Sequence, residues 1–269
     1  MSVDLTTAPA TAPALPGGGL TATMYREYCL LTRNRTNLLL SIVPSAVYLL
    51  LFATSLANLV GEVEYGGRTV PYSEFAVPAV LLSSMLAAAT TAGTSLFQER
   101  MGRMDVELWS YPLGRASYVL GKLLASTLLI LAQSLAALLV AITVFDFRWP
   151  ASHWAAVLCV TAVASMAFNG LYLLLATLFS DFRRFSVTIN IVAPVLLFSS
   201  PSFYPVDRMA PVLQWLSWAN PVTYGIRGIR EGALFGFGAV WPWLLVLVGI
   251  AAVTVPLLGR SLVVRAREL

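Results

Sequence analysis

Six apolar stretches run through this chain with basic residues sorted to alternate ends of them, a pattern that admits little except a bundle threaded repeatedly through a membrane. Leu38 to Val60, Phe75 to Phe97, Tyr118 to Phe145, Trp154 to Phe179 and Val240 to Leu258 are nearly free of charge, and Ser186 to Tyr204 is a shorter sixth. At about 1.5 Å per residue, roughly 20 residues cross a hydrocarbon core of about 30 Å, so all six qualify as spans. Of the seventeen Lys and Arg, twelve precede the first stretch, lie in the second-to-third and fourth-to-fifth connections, or follow the last. The other five, Arg68, Arg148, Arg208, Arg227 and Arg230, share their side with Glu62, Glu64, Glu74, Asp146, Asp207 and Glu231. The positive-inside rule then predicts cytoplasmic termini and an even number of spans. With 58% hydrophobic and 11% charged residues, lipid is the main solvent of such a chain. The net charge of +4 gathers at span ends, where anionic head groups attract it, so nucleic-acid binding is not expected.

Residues 1–20, rich in Ala, Pro, Thr and Gly, read as a disordered cytoplasmic tail without the pattern of a signal peptide. Over 21–37, Met24, Tyr28 and Leu31 recur at helical spacing among Arg26, Glu27, Arg33 and Arg35, which predicts an amphipathic helix in the interface; a frayed juxtamembrane segment is the alternative. Residues 38–269 form the six-span domain. Its second-to-third connection places Met101, Met104 and Leu108 on one helical face, with Glu99, Arg103 and Glu107 four apart, before Pro112 and Gly114 end the pattern. Periodicity alone leaves that piece open between a solvated loop and a lever for a partner.

Before the last span, residues 201–238 are aromatic and broken by prolines and glycines, and Arg227, Arg230 and Glu231 would be costly at mid-bilayer. Two short helices entering and leaving one leaflet, about 209–219 and 221–234 with Asn220-Pro221 between them, satisfy both facts; an ordinary interfacial aromatic belt is the competing reading. Cys29, Cys159 and His153 are too dispersed for a metal site, and Gly114 and Gly121-Lys122 lack the spacing of a phosphate-binding loop.

The run Glu99-Arg100, Glu107, Pro112, Arg115 and Leu120-Gly121-Lys122 resembles the cytoplasmic motif of type-2 ABC transporter permeases, the group that includes daunorubicin-resistance and polysaccharide or lipooligosaccharide exporters. Phe203-Tyr204-Pro205-Val206, Leu213-Gln214-Trp215-Leu216-Ser217 and Asn220-Pro221-Val222-Thr223-Tyr224 are similar to the same family's segment before its last span. The resemblance implies an all-α integral membrane protein of six transmembrane helices, an N-terminal interfacial helix and two re-entrant helices. It implies a coupling helix at about 99–110, with Glu99, Arg100, Arg103, Asp105, Glu107 and Leu108 meeting an ATPase. It further implies an outer gate containing Phe203, Tyr204, Trp215, Trp218, Asn220, Pro221 and Tyr224 in a re-entrant pair at about 209–234.

On that reading the chain is no enzyme and binds no cofactor itself. A separate ATPase subunit in two copies supplies ATP and Mg, and a second permease half, identical or related, completes the assembly in a bacterial cytoplasmic membrane. Cargo is a drug, lipid or glycolipid moving outward, with a polysaccharide the alternative within the family; Asn58, Thr90, Thr91, Thr94 and Asn190 are candidates along its path, though for any one of them an ordinary helix-to-helix hydrogen bond is the favoured reading. An ion-coupled secondary transporter is the competing class. It is disfavoured because every Asp and Glu reads as a tail or loop residue, outside the spans where coupling ions are usually held.

Overall fold

The computed structural model describes residues 18–33, 54–102, 104, 115–145, 147 and 149–265. Among them nine α-helices follow in order: α1 Gly18–Arg33, α2 Thr54–Val60, α3 Tyr72–Met101, α4 Arg115–Phe145, α5 Ala151–Leu178, α6 Phe182–Phe198, α7 Pro211–Ala219, α8 Pro221–Phe235 and α9 Trp241–Arg265. Four of these helices, α3, α4, α5 and α9, are long and apolar enough to cross a membrane. Of the expected first span only Thr54–Val60 lies within the described residues. The expected fifth span, Ser186 to Tyr204, is displaced. Asp181 caps α6 by accepting from the backbone N–H of Arg183 and Arg184 at 3.2 and 3.4 Å, which starts the helix earlier, and the helix ends after 17 residues, before the turn at Ser199 to Ser202.

Helix α3 is the axle of the bundle. Its most apolar stretch is 78% buried, against 61% for α5, 33% for α4 and 28% for α9, so α3 and α5 form the interior and α4 and α9 keep broad open sides. At about 1.5 Å per residue its 30 residues exceed the thickness of a hydrocarbon core. Helices α4, α5, α6 and α8 pack on α3, and α9 packs on α5. Small residues permit the approaches: a Cβ at Gly170 on α5 would lie 2.7 Å from Thr254 Oγ1 on α9.

Between α2 and α3 lies a β-hairpin, β1 Glu62–Tyr65 and β2 Arg68–Pro71, antiparallel with Tyr65 opposite Arg68. Its two-residue turn, Gly66-Gly67, has φ of +60° and +74°, the left-handed pair such a turn demands and glycine supplies without strain. Val70, Tyr72, Phe75 and Leu234 form a small core beneath it. The hairpin, α7, α8 and the starts of α5 and α9 therefore share one end of the bundle; α1 sits at the other, on the start of α4.

Helix α1 starts earlier than the sequence boundary suggested. It begins at Gly18, inside the stretch read as tail. Among its described side chains Thr23 and Glu27 are buried, while Tyr28 of the predicted apolar face is 62% exposed, together with Tyr25 and Leu30. The reason lies on α4, where Gly121 lets α1 come close: a Cβ there would stand 2.7 Å from Thr23 Cβ and 3.3 Å from the Leu20 carbonyl. Gly121→Val is accordingly expected to lift α1 from α4 and lower stability by about 1–3 kcal/mol. A thermal midpoint equal to wild type in detergent would contradict this packing.

Candidate functional site

At the α1 end a set of ions lies buried where three helices meet. Lys122 on α4 is 3% exposed, and its Nζ donates to both carboxylate oxygens of Glu99 at 2.9 and 3.0 Å and to both of Glu27 at 3.3 Å. Arg26 Nη1 donates to Glu27 Oε1 at 2.7 Å and Nη2 stands 3.5 Å from Glu99 Oε1. The Tyr118 hydroxyl donates to Glu99 Oε2 at 3.1 Å. Two carboxylates and two cations balance, as burial requires, because an isolated charge in so dry a place would be far costlier than a paired one. Burial still pushes the Glu27 carboxyl above its ordinary range, against the pull of the Lys122 ammonium. The network ties the last turn of α3 to α1 and α4.

This places the residues expected on a coupling helix in two groups. Glu99 and Arg100 belong to the final turn of α3, which continues to Met101 and is capped at Gly102, so the predicted helix does not begin separately at 99. Glu99 is buried and turned toward Lys122, so it is no loop residue, contrary to the reading that every acid is. Arg100 donates to the carbonyl of Ala176 on α5, with its guanidinium 5.8 Å from the centre of the Phe97 ring. Arg103, Asp105, Glu107 and Leu108 lie outside the described residues. Met101 and Met104 are exposed, 58% and 41%.

The hairpin end has its own buried ion. Arg230 on α8 is fully buried, and it joins three separate pieces of chain. Nε and Nη2 donate to the Phe75 carbonyl at 3.1 and 3.0 Å, and Nη2 donates to the carbonyls of Pro201 and Ser202 at 2.9 and 3.1 Å. Its guanidinium lies 3.7 Å from the centre of the Phe75 ring and 5.4 Å from that of Tyr65. One turn earlier Arg227 sits between Trp218 and Trp243, 4.9 and 5.2 Å from their ring centres.

Among the residues assigned to an outer gate, Asn220 is the structural pivot. Its Oδ1 accepts from the Val222 N–H at 2.9 Å and starts α8, while Nδ2 donates to Ser199 Oγ at 3.0 Å and to the Leu196 carbonyl, fastening the α7–α8 corner to α6. Pro221 follows at the first helical position. The Tyr224 hydroxyl donates to the Trp218 carbonyl at 2.6 Å and that of Tyr204 to Phe198 at 3.2 Å; the Phe203 carbonyl accepts from Tyr72 at 3.1 Å. Trp215 and Trp218 are exposed, 80% and 55%.

The five residues suggested for a substrate path are dispersed. Thr90, Thr91 and Thr94 return their hydroxyls to carbonyls one turn back on α3, at 2.8, 3.2 and 2.8 Å, and Asn190 does the same to Ser186 on α6 at 2.7 Å. These four bonds stay within their own helices, while the Thr90 hydroxyl also meets that of Tyr172 on α5. Asn58 is exposed on α2. A polar contact that does cross between helices at mid-bundle is that of Asn169 on α5, whose Nδ2 donates to the Leu123 carbonyl, Ser126 Oγ and Thr127 Oγ1 on α4 at 2.8–2.9 Å.

Sequence reasoning passed over Glu27, Tyr118, Arg230 and Asn169. A signal existed for the Glu27 site in Lys122, the single charge within the apolar run Tyr118 to Phe145, which once buried needs a carboxylate. For Arg230 the signal was a guanidinium on a helix interrupted by Gly225, Gly228 and Gly232, which lets neighbours close on it.

The profile of the ABC-2 type transporter family matches residues 19–234. The inner membrane transport permease YadH of Escherichia coli (strain K12) is 25% identical over 199 residues, covering 72% of this chain and 75% of that protein. The probable doxorubicin resistance ABC transporter permease protein DrrC of Mycobacterium tuberculosis (strain ATCC 25618 / H37Rv) is 23% identical over 253 residues, covering 90% of this chain and 89% of its own.

Proposed function

The chain belongs to the ABC-2 type transporter family, and from that premise we propose that it is the permease half of an ATP-driven exporter carrying a hydrophobic or amphipathic molecule out of the cytoplasm. The observation that carries this reading is the extent of the family match, which runs from α1 through α8 and so includes both buried ion sites. The sequence contains no G-x-x-x-x-G-K-[ST] loop, so hydrolysis belongs to a separate ATPase subunit, present twice, that brings ATP and Mg. Two permease halves face each other, and α7 with α8 re-enters the outer leaflet. The doxorubicin resistance named for one relative favours a drug as cargo.

In mechanism, the ATPase meets the coupling segment at about 99–110, with the exposed side chains of Met101 and Met104 offering an adaptable apolar contact. Closure of the ATPase pair moves that segment, and the network of Glu27, Glu99 and Lys122 makes the ends of α1, α3 and α4 move as one body. Because α3 is continuous to the hairpin, displacement at one end reaches the other, where α8 is held to it by Arg230.

The direct test is to purify the chain at native expression level in mild detergent, identify its companions by mass spectrometry and assay ATP hydrolysis. A stoichiometric ATPase is expected; recovery of the chain alone, with transport driven by an ion gradient after reconstitution, would replace this reading with a secondary transporter. Glu107→Ala is expected to weaken ATPase co-purification while leaving membrane insertion intact. For orientation, a cysteine introduced at exposed Trp215, with Cys29 and Cys159 replaced, is expected to react with an impermeant reagent from outside the cell. Exclusive reaction from the cytoplasm would invert the proposed topology.

A further inference from the structure

Beside the hairpin an open cavity lies against the end of α6. It measures about 430 Å³, within the roughly 300–1,000 Å³ that small-molecule sites occupy. Its apolar lining comes from two distant pieces of chain: Phe198 and Phe203, with rings 5.9 Å apart, at the end of α6 and the turn after it, and Val60 and Val63 around the start of β1. The aromatic side is held in place. The Tyr72 hydroxyl donates to the Phe203 carbonyl at 3.1 Å, and that of Tyr204 donates to the Phe198 carbonyl at 3.2 Å.

Three charged side chains complete the lining, Glu62, Glu64 and Arg208, and all three are exposed, so a ligand can meet them without uncovering anything first. Residues 62 and 64 stand two apart in β1 and share one face of the strand. Among the described residues neither carboxylate forms an ion pair, with Arg208 or any other cation, and neither accepts a hydrogen bond. Two carboxylates against one guanidinium leave the cavity with one negative charge in excess. An apolar enclosure with such a rim repels anions and attracts cations, and the aromatic ring of Phe198, 45% exposed, adds a face on which a cation can rest.

We infer that this cavity binds an amphipathic organic monocation, its apolar body against Phe198, Phe203 and Val63 and its charge at the carboxylates of Glu62 and Glu64. The inference deepens the export reading and rests on it for calling the molecule cargo: it gives that cargo a positive charge and a resting place at the hairpin end. Binding to the chain alone does not depend on export, so failure to find an ATPase partner would end that reading and leave this site standing.

The test uses the full chain in mild detergent with tetraphenylphosphonium and tetraphenylborate, two ions of one shape and opposite charge, their binding measured by equilibrium dialysis against protein-free micelles. Wild type is expected to bind the phosphonium about tenfold more tightly, the combined scale of two exposed charge contacts. The double variant Glu62→Gln, Glu64→Gln changes only exposed side chains, so it is expected to keep the wild-type thermal midpoint and to lose the preference, whereas Arg208→Gln is expected to widen it. Equal affinities in wild type, or an unchanged preference in the double variant, would overturn the assignment. A third arm asks whether another copy of the chain covers this face. With Cys29 and Cys159 replaced, near-complete crosslinking of a Glu62→Cys chain to its own copies in vesicles, together with no phosphonium bound by wild type, would give the cavity to a second copy instead.

Discussion

Lys122→Met is expected to cost the folded chain about 3–5 kcal/mol, because it leaves two carboxylates buried with Arg26 as their one remaining cation. Methionine keeps the side-chain length, so the loss is electrostatic rather than a cavity. The sign should reverse when the three most buried charges go together: Glu27→Gln, Glu99→Gln and Lys122→Met, which leave only the partly exposed Arg26 charged, are expected to recover much of the stability, since a buried ion set replaced entire is often neutral. Glu27→Gln alone is expected to be the mildest of the single changes, because burial already penalises that charge. Unfolding in detergent, arranged as a mutant cycle, measures all of this. A Lys122→Met chain as stable as wild type, or a triple variant no better than the single, would show that the network does not hold α1 to the bundle. In the assembled transporter the triple variant should fold yet couple poorly, since amide contacts stiffen the three helix ends less than ion pairs do.

Arg230→Met is expected to be comparably severe for a different reason. It strips donors from three buried carbonyls, those of Phe75, Pro201 and Ser202, and an unpaired buried polar group costs about 1–3 kcal/mol. The expected total is about 3 kcal/mol or more, concentrated at the hairpin end, where limited proteolysis of the 62–71 hairpin should accelerate before the bundle unfolds. Arg230→Lys keeps the charge, but one ammonium does not reproduce a planar fork reaching α3 and the turn after α6 together, so an intermediate loss is expected. Proteolysis at the wild-type rate in Arg230→Met would remove Arg230 as the fastener of this end.

Much of this architecture could be read from residue order. The apolar lengths that give α3, α4, α5 and α9, the corner at Asn220-Pro221 and the helices on either side of it follow from span length, capping and proline geometry, which act over a few residues. The hairpin was legible too: Glu62 to Tyr65 alternate, and Gly66-Gly67 is the turn such strands require, although an apolar setting drew attention to the spans instead. On α1 residue order does not reveal the seat: the helical spacing of Met24 and Tyr28 cannot show that a glycine nearly a hundred residues away opens room for Thr23.

Taken by itself, then, the order of residues determined that this chain is a membrane bundle, where its long helices run and, through its motifs, to which family it belongs. Only the tertiary structure decided what the charges do. Glu99 and Lys122 look, in sequence, like surface charges that mark a side of the membrane, and Arg230 like one of several basic residues near an interface; folded, all three are buried. The difference is physical. Helix formation and membrane crossing are governed by local hydrogen bonding and by transfer free energies that add along the chain, whereas the cost of a buried charge depends on which distant groups come within about 3 Å of it, and that is fixed by packing alone.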